Sequence, residues 1–317
     1  MITMLFTKRQ ESELITAIKG RGEIPLKFAY LGDGAKNWDK IAHHRTDSGG
    51  INSVEGKLLA DKATSFISAF GETPKINVID IGCGNGLPTF PIMEELRKKD
   101  IPFRYVPIDI SNELLDLAEQ TVQKEFNVEV KKYQLDFELG NFSDITYELK
   151  SDGSANLLCF LGSTLGNHSD RSRVLTNFRD SMSSEDFLII GVELTNFTKI
   201  NKILTYYKDD AAKDFVCFIP EQIGINREDA EYNAEWNEKD SQIEIRLILK
   251  KDIAIKIGAE EFTLEKDESI LVGRSLKFTE WSVAKQLSDV SFRNELLTTN
   301  PERSYLLSMV QPTRYSV

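Results

Sequence analysis

The chain has 317 residues, 41% apolar and 28% charged, with 50 acidic against 39 basic side chains and a formal net charge of -11. That length suits one large α/β domain with a smaller lobe, or two modest domains, and the composition is that of a globular protein rather than a disordered one. The acidity gives no long-range attraction to nucleic acid or an anionic membrane, and no segment approaches the roughly 18 apolar residues of a membrane span. The N-terminal run MITMLFTKRQESEL is too short in apolar residues for a signal peptide, so a cytoplasmic location is expected. Cys83, Cys159 and Cys217 are odd in number, widely spaced and without a CxxC, which argues against a disulfide framework or a zinc site.

In chain order, residues 12–19 read as a helix, followed by a stretch punctuated by Gly20, Gly22, Pro25, Gly32, Gly34, Gly49 and Gly50 that reads as loop. Ser53 and Glu55, ahead of Leu58, Leu59, Ala63, Phe66, Ile67 and Phe70, suggest a capped amphipathic helix. A strict alternation then begins. Strands are expected at 76–82, 103–110, 128–135, 155–161 and 186–192. Helices are expected at 88–98, from a Ser111 cap to about Phe126, and at 169–182. Short apolar strands alternating with helices indicate a mostly parallel sheet covered on both faces. Residues 197–220 read as helical or irregular, and 229–276 alternate polar with apolar, the pattern of an antiparallel sheet with one solvated face. A helix at about 279–288 precedes two strands, near 292–298 and 303–310, that return to the main sheet. The expected division is a cofactor domain of 62–196 with 278–317, and a substrate lobe of 1–61 with 197–277, the substrate pocket opening between them.

The segment VIDIGCGNG, Val78 to Gly86, leaves a strand and enters a helix. Gly82, Gly84 and Gly86 allow a sharp turn and a close backbone approach to a ligand at the helix N-terminus. Asp109 ends the second strand of the same unit, where an acid accepts ribose hydroxyls. Asp136 ends the third, and with Phe137 it can hold and cover an adenine. A dinucleotide needs G-x-G-x-x-G spacing; here it is G-x-G-x-G with Leu87 and Pro88 next, which favours S-adenosylmethionine and disfavours NAD. Methyl transfer from that sulfonium needs alignment more than a catalytic triad, with an acid or phenol to take the amine's proton. His43, His44 and His168 have no metal-ligand spacing. The first two read as solvated loop residues, His168 as surface, and Trp281 as packing.

RYVPIDIS at 104–111, LDF at 135–137 and FLGSTLGN at 160–167 resemble the histidine Nα-methyltransferases of ergothioneine biosynthesis and their relatives, a likeness continuing through IIGVELT, Trp236 with QIEIRL, and GRSLKFT. The resemblance implies a Rossmann-like class I methyltransferase domain with a seven-stranded, mostly parallel sheet, and an α+β substrate lobe. It implies that Gly162 and Ser163 join the cofactor set. Asn167 and Tyr207, the candidate catalytic residues, would then contact a small amine or amino-acid substrate, with Tyr206 as the alternative to Tyr207. Tyr30, Gly273 and Ser275 match other pocket positions.

Two departures stand out. The family's histidine binders carry a Glu where this chain has Gly273, and a Tyr-Tyr-Pro-Thr-Arg segment where it has GGINSVEG. The expectation is N-methylation of an amine other than histidine, with Gly273 leaving room for a larger side chain. The alternative is a relative that binds the cofactor but has lost catalysis.

Overall fold

Thr7 starts the first helix in the computed structural model, which describes residues 5–47, 51–73, 75–195 and 199–313. Its hydroxyl accepts the Gln10 amide while the Gln10 side chain answers the Thr7 amide, so two otherwise orphaned N–H groups are satisfied. Helices α1 (Lys8–Arg21), α2 (Gly34–Asp47) and α3 (Ile51–Ser68) lead into β1 (Ile76–Ile81), α4 (Phe90–Lys98), β2 (Phe103–Asp109), α5 (Asn112–Phe126), β3 (Tyr133–Gln134), α6 (Ser143–Leu149), β4 (Ala155–Phe160), α7 (Arg171–Asp180) and β5 (Phe187–Glu193). Then come α8 (Ile200–Lys208), α9 (Asp210–Val216), α10 (Phe218–Gln222), β6 (Ala230–Asn237), β7 (Gln242–Leu249), β8 (Ile253–Ile257), β9 (Glu260–Leu264), β10 (Ser269–Leu276), α11 (Glu280–Asp289), β11 (Phe292–Thr299) and β12 (Tyr305–Pro312).

The chain divides into two compact units, Met1–Ile41 with Asn196–Leu276 and Ala42–Thr195 with Lys277–Val317. The divisions fall at 41/42, 195/196 and 276/277, and α3 belongs to the second of these units. Its Leu58, Leu59, Ala63, Phe66 and Ile67 bury against Val78, Leu157, Tyr305 and Leu307, so it is part of the main sheet's core.

Among the described residues of that unit, seven strands form one sheet in the order β11-β12-β5-β4-β1-β2-β3. β1 pairs in parallel with β2 and β4, β4 with β5, and β2 with β3, while β12 runs antiparallel to β5 and β11. The sheet is α/β, Rossmann-like and mostly parallel, and all six residues of β1 are buried, as strands covered on both faces must be. The order reverses between β1 and β4, so the turns after these two strands flank a topological switch point, where open α/β sheets bind ligands. Several expectations change. The strand read over 128–135 shrinks to Tyr133–Gln134 at the sheet edge, with an isolated bridge from Val130 to Tyr105. The glycine-marked loop contains a 3-10 turn, Leu26–Tyr30, and all of α2, so His43 and His44 are helical. Gly49 and Gly50 lie outside the described residues. Helix α6 is not among the expected elements. Trp281 is 72% exposed rather than packed, because it lies on the outer side of α11.

The other unit holds α1, the Leu26–Tyr30 turn, α8 to α10 and, among its described residues, a three-stranded antiparallel sheet β10-β7-β6 with a separate β8–β9 hairpin. β8 alternates buried with exposed residues, the period of a half-buried strand. Glu23 bridges to Leu271 and its carboxylate pairs with Arg274 at 2.7 Å, tying the segment after α1 to β10. Among the described residues no helix is long and apolar enough to cross a membrane.

Candidate functional site

The turn after β1 runs through three glycines in the left-handed region, Gly82 (φ 65°), Gly84 (φ 53°) and Gly86 (φ 78°). They differ in what surrounds them. A Cβ on Gly82 would meet only Phe137 Cε1 at 3.8 Å and Thr164 Cγ2 at 3.9 Å, so the turn after β1, the end of β3 and the turn after β4 converge here. A Cβ on Gly86 would lie 3.1 Å from Tyr105 Oη, 3.2 Å from Val122 Cγ2 and 3.3 Å from the Ala118 carbonyl. Gly86 therefore seats the turn closely against β2 and α5.

Asp109 ends β2 and is buried. Its Oδ1 accepts the Ser111 amide at 3.0 Å, and the Gly84 and Ile110 amides also favour its carboxylate. Burial outweighs these donors and pushes the group up to about 6. Ser111 caps α5 separately, accepting the Leu114 amide at 3.3 Å. Beside it lies Asp80, inside VIDIG, a position the glycine spacing does not mark. Tyr105 donates to Asp80 at 2.7 Å and Thr89 at 3.4 Å. Burial, with the charges of Asp109 and Glu55 adding, pushes Asp80 up to about 8.

After β3, Asp136 accepts the Glu138 amide at 3.1 Å. The half-buried Phe137 ring joins Phe160 (centroids 5.6 Å apart), Phe178 (5.6 Å) and His168 (5.5 Å). His168 is interior, not surface. Its ring stacks on Phe160 at 27°, and its Nδ1 lies 2.5 Å from Glu138 Oε1. An imidazole is comfortable among aromatic faces when a carboxylate holds one nitrogen.

The turn after β4 places Gly162 (φ 72°) and then Ser163 (φ 58°) in the left-handed region, and a 3-10 turn, Thr164–Asn167, follows. Ser163 Oγ accepts the Glu193 amide at 2.9 Å from the end of β5. The Gly162 amide donates to Glu55 Oε1 at 2.9 Å and Oε2 at 3.1 Å. Asn167 ends this turn, half-buried. By sequence Glu55 reads as part of a helix start. Its place on the apolar stripe with Leu58, Leu59 and Phe66 was the signal of a buried role.

The remaining expected residues belong to the other unit. Tyr30 ends the Leu26–Tyr30 turn with its ring edge-on to Phe215 (5.0 Å) and tilted against Trp38 (6.2 Å). Tyr206 and Tyr207 are both half-buried in the last turn of α8, so neither is a core residue. The Tyr232 hydroxyl on β6 donates to the Tyr207 carbonyl at 2.5 Å, satisfying one of the helix's orphaned C-terminal acceptors. Gly273 and Ser275 lie two apart on β10, opposite Ile245 and Ile243. A Cβ on Gly273 would sit 3.1 Å from Ile245 Cδ1. The room expected beside Gly273 is therefore occupied by Ile245. Among the described residues no group of three His, Cys, Asp or Glu side chains is placed to hold a metal ion.

The donor set and open turn fit a nucleoside-bearing cofactor. Asp109 could accept vicinal hydroxyls, Phe137 offers an aromatic face, and Gly82 leaves an approach without a Cβ. A family model described as histidine-specific methyltransferase, SAM-dependent, matches residues 10–312. The chain is 24% identical over 299 residues to the histidine N-alpha-methyltransferase of Mycolicibacterium smegmatis (strain ATCC 700084 / mc(2)155), covering 90% of this chain and 89% of that one. It is 25% identical over 278 residues to the protein of that name from Mycobacterium tuberculosis (strain CDC 1551 / Oshkosh), covering 84% and 83%. Among solved structures, an S-adenosylmethionine-dependent methyltransferase from Clostridium acetobutylicum ATCC 824 aligns with a TM-score of 0.49 at 13% identity, over 87% of this chain and 98% of that one.

Proposed function

Because the chain belongs to the family of histidine-specific, SAM-dependent methyltransferases, and is itself an S-adenosylmethionine-dependent methyltransferase, we propose that it methylates the nitrogen of an amino acid or related small amine other than histidine. The observation that carries the choice of acceptor is the pair Gly273 and Ile245. Position 273 has no side chain to accept a hydrogen bond, and the volume where one would begin is filled by the Ile245 methyl at 3.1 Å. An imidazole N–H buried against that apolar wall loses its acceptor, at a cost of roughly 1–3 kcal/mol, a tenfold to hundredfold loss of affinity.

When bound, S-adenosylmethionine supplies a methyl group already activated on a sulfonium. In this reading Gly82 and Gly84 let the backbone lie close to the cofactor, and the Asp109 carboxylate accepts its ribose hydroxyls. Asp136 and Phe137 take the adenine edge and face, with Gly162 and Ser163 beside them. Asn167 and Tyr207, with Tyr206 as the neighbouring alternative, hold the amine and its carboxylate. Tyr30 and Ser275 shape the rest of the acceptor site. Catalysis is then chiefly alignment, and a phenol, Tyr30 or Tyr207, relays the proton that the amine must lose.

The test is product identification. The protein is incubated with methyl-labelled S-adenosylmethionine and a panel of amino acids and small amines, and the labelled carbon is located by NMR. N-methylation of a non-histidine amine is expected. A label on oxygen or carbon contradicts the reading, and no transfer to any acceptor favours a relative that only binds the cofactor.

A further inference from the structure

We propose that Glu55 is a positioning residue: through the Gly162 amide and the Tyr305 hydroxyl, its carboxylate fixes the turn that presents Asn167 to the methyl acceptor. The proposal rests on the reading of Asn167 as a substrate contact. Glu55 lies on α3 and is 2% exposed. Both its oxygens face the Gly162 amide, at 2.9 and 3.1 Å, and Oε1 also accepts the Tyr305 hydroxyl from β12. The Gly162 amide of the turn and the Tyr305 hydroxyl of β12 thus meet at one polar centre in the core.

The neighbouring strand is shaped around this centre. A Cβ on Gly191 of β5 would overlap Glu55 Oε1 and sit 2.7 Å from Tyr305 Oη, so only glycine leaves room for the pair. The turn itself needs restraint. Gly162 and Ser163 are consecutive left-handed residues, and Ser163 carries a side chain that disfavours that conformation. Two contacts hold it: Glu55 on the Gly162 amide, and Ser163 Oγ on the Glu193 amide at 2.9 Å. Asn167 stands at the end of the 3-10 turn that starts from this point, so any swing of Gly162 and Ser163 moves it. A displacement of an ångström at such a contact is enough to cost a large factor in rate.

Glutamine at 55 keeps the shape, and its Oε1 can still accept, but an NH2 donor replaces Oε2 and faces the Gly162 N–H that Oε2 accepts at 3.1 Å. Hydrogen exchange of residues 160–168, followed by mass spectrometry, reads the turn without any substrate. Glu55→Gln should speed it by about tenfold or more while β1 and β2 keep wild-type rates. The kinetic arm uses whichever of the twenty amino acids the wild type methylates fastest. There Glu55→Gln and Asn167→Ala should each raise KM by about tenfold or more. In the Asn167→Ala background Glu55→Gln should add less than about twofold, because both changes act on one contact. Tyr305→Phe removes one of the same hydrogen bonds and serves the same tests should Glu55→Gln fold poorly. Wild-type exchange at 160–168, or fully additive effects on KM, overturns the proposal. An Asn167→Ala protein with unchanged KM contradicts the reading of Asn167 alone, and the exchange rate then decides for Glu55.

Discussion

Tyr105 donates its hydroxyl to Asp80 at 2.7 Å, and the same oxygen lies 3.1 Å from where a Cβ on Gly86 would be. One phenol therefore satisfies a buried carboxylate and fills the space that the last glycine of the turn leaves open. Tyr105→Phe should cost about 1–3 kcal/mol, because Asp80 loses its shortest donor in a site water does not reach. Urea unfolding measures it, and an unchanged midpoint and slope would show that the hydroxyl contributes nothing.

Asp80, Glu55 and Asp109 are held up at about 8, 7 and 6, in each case chiefly by burial. The unfolded chain ionises these acids near pH 4, so between about pH 4 and 8 it releases protons that the folded protein keeps. Unfolding free energy should therefore fall, by a few kcal/mol, as pH rises through that window. Asp80→Asn should flatten the fall. Denaturation at pH 5 and pH 8 checks the sign, and a protein that gains stability over that interval does not bury these three groups in this way.

Asp109→Ala should weaken S-adenosylmethionine binding by on the order of 1–3 kcal/mol, since ribose hydroxyls lose a charged acceptor. Calorimetry on the folded variant decides it, with NAD expected not to bind the wild type. Unchanged affinity removes Asp109 from the site.

Gly273→Glu alone should not create a histidine enzyme. Its Cβ would press on Ile245 Cδ1 at 3.1 Å, and the variant should melt lower. With Ile245→Ala as well, the acid has room, and histidine kcat/KM should rise by roughly tenfold to hundredfold over the single variant. Equal histidine activity in the single and double variants would falsify the role given to Ile245.

The sheet was legible because its signals are local. The buried run at β1, the Ser111 cap and the alternation of β8 each act over a few residues. What escaped was settled at a distance. Glu55 reads as a helix start until Gly162, which is 107 residues away, supplies its partner. His168 reads as surface until Phe137 and Phe160 close around it. The outer strand at 128–135 has strand composition, but it meets β2 discontinuously, at an isolated Val130–Tyr105 bridge and then at Tyr133 and Gln134, so only the last two form a regular strand. At Gly273 the sequence told of a missing acid but not of the cross-strand Ile245 that occupies its place.

The proposed acceptor of this methyltransferase is an amine other than histidine. The most direct test is a side-by-side measurement of kcat/KM for histidine and for a panel of other amino acids and amines, at equal concentration with excess S-adenosylmethionine. Histidine should be methylated poorly or not at all, and another amine should exceed it by about tenfold or more. If histidine gives the highest kcat/KM, the proposed acceptor is wrong, and a residue other than 273 must supply the acceptor for its imidazole.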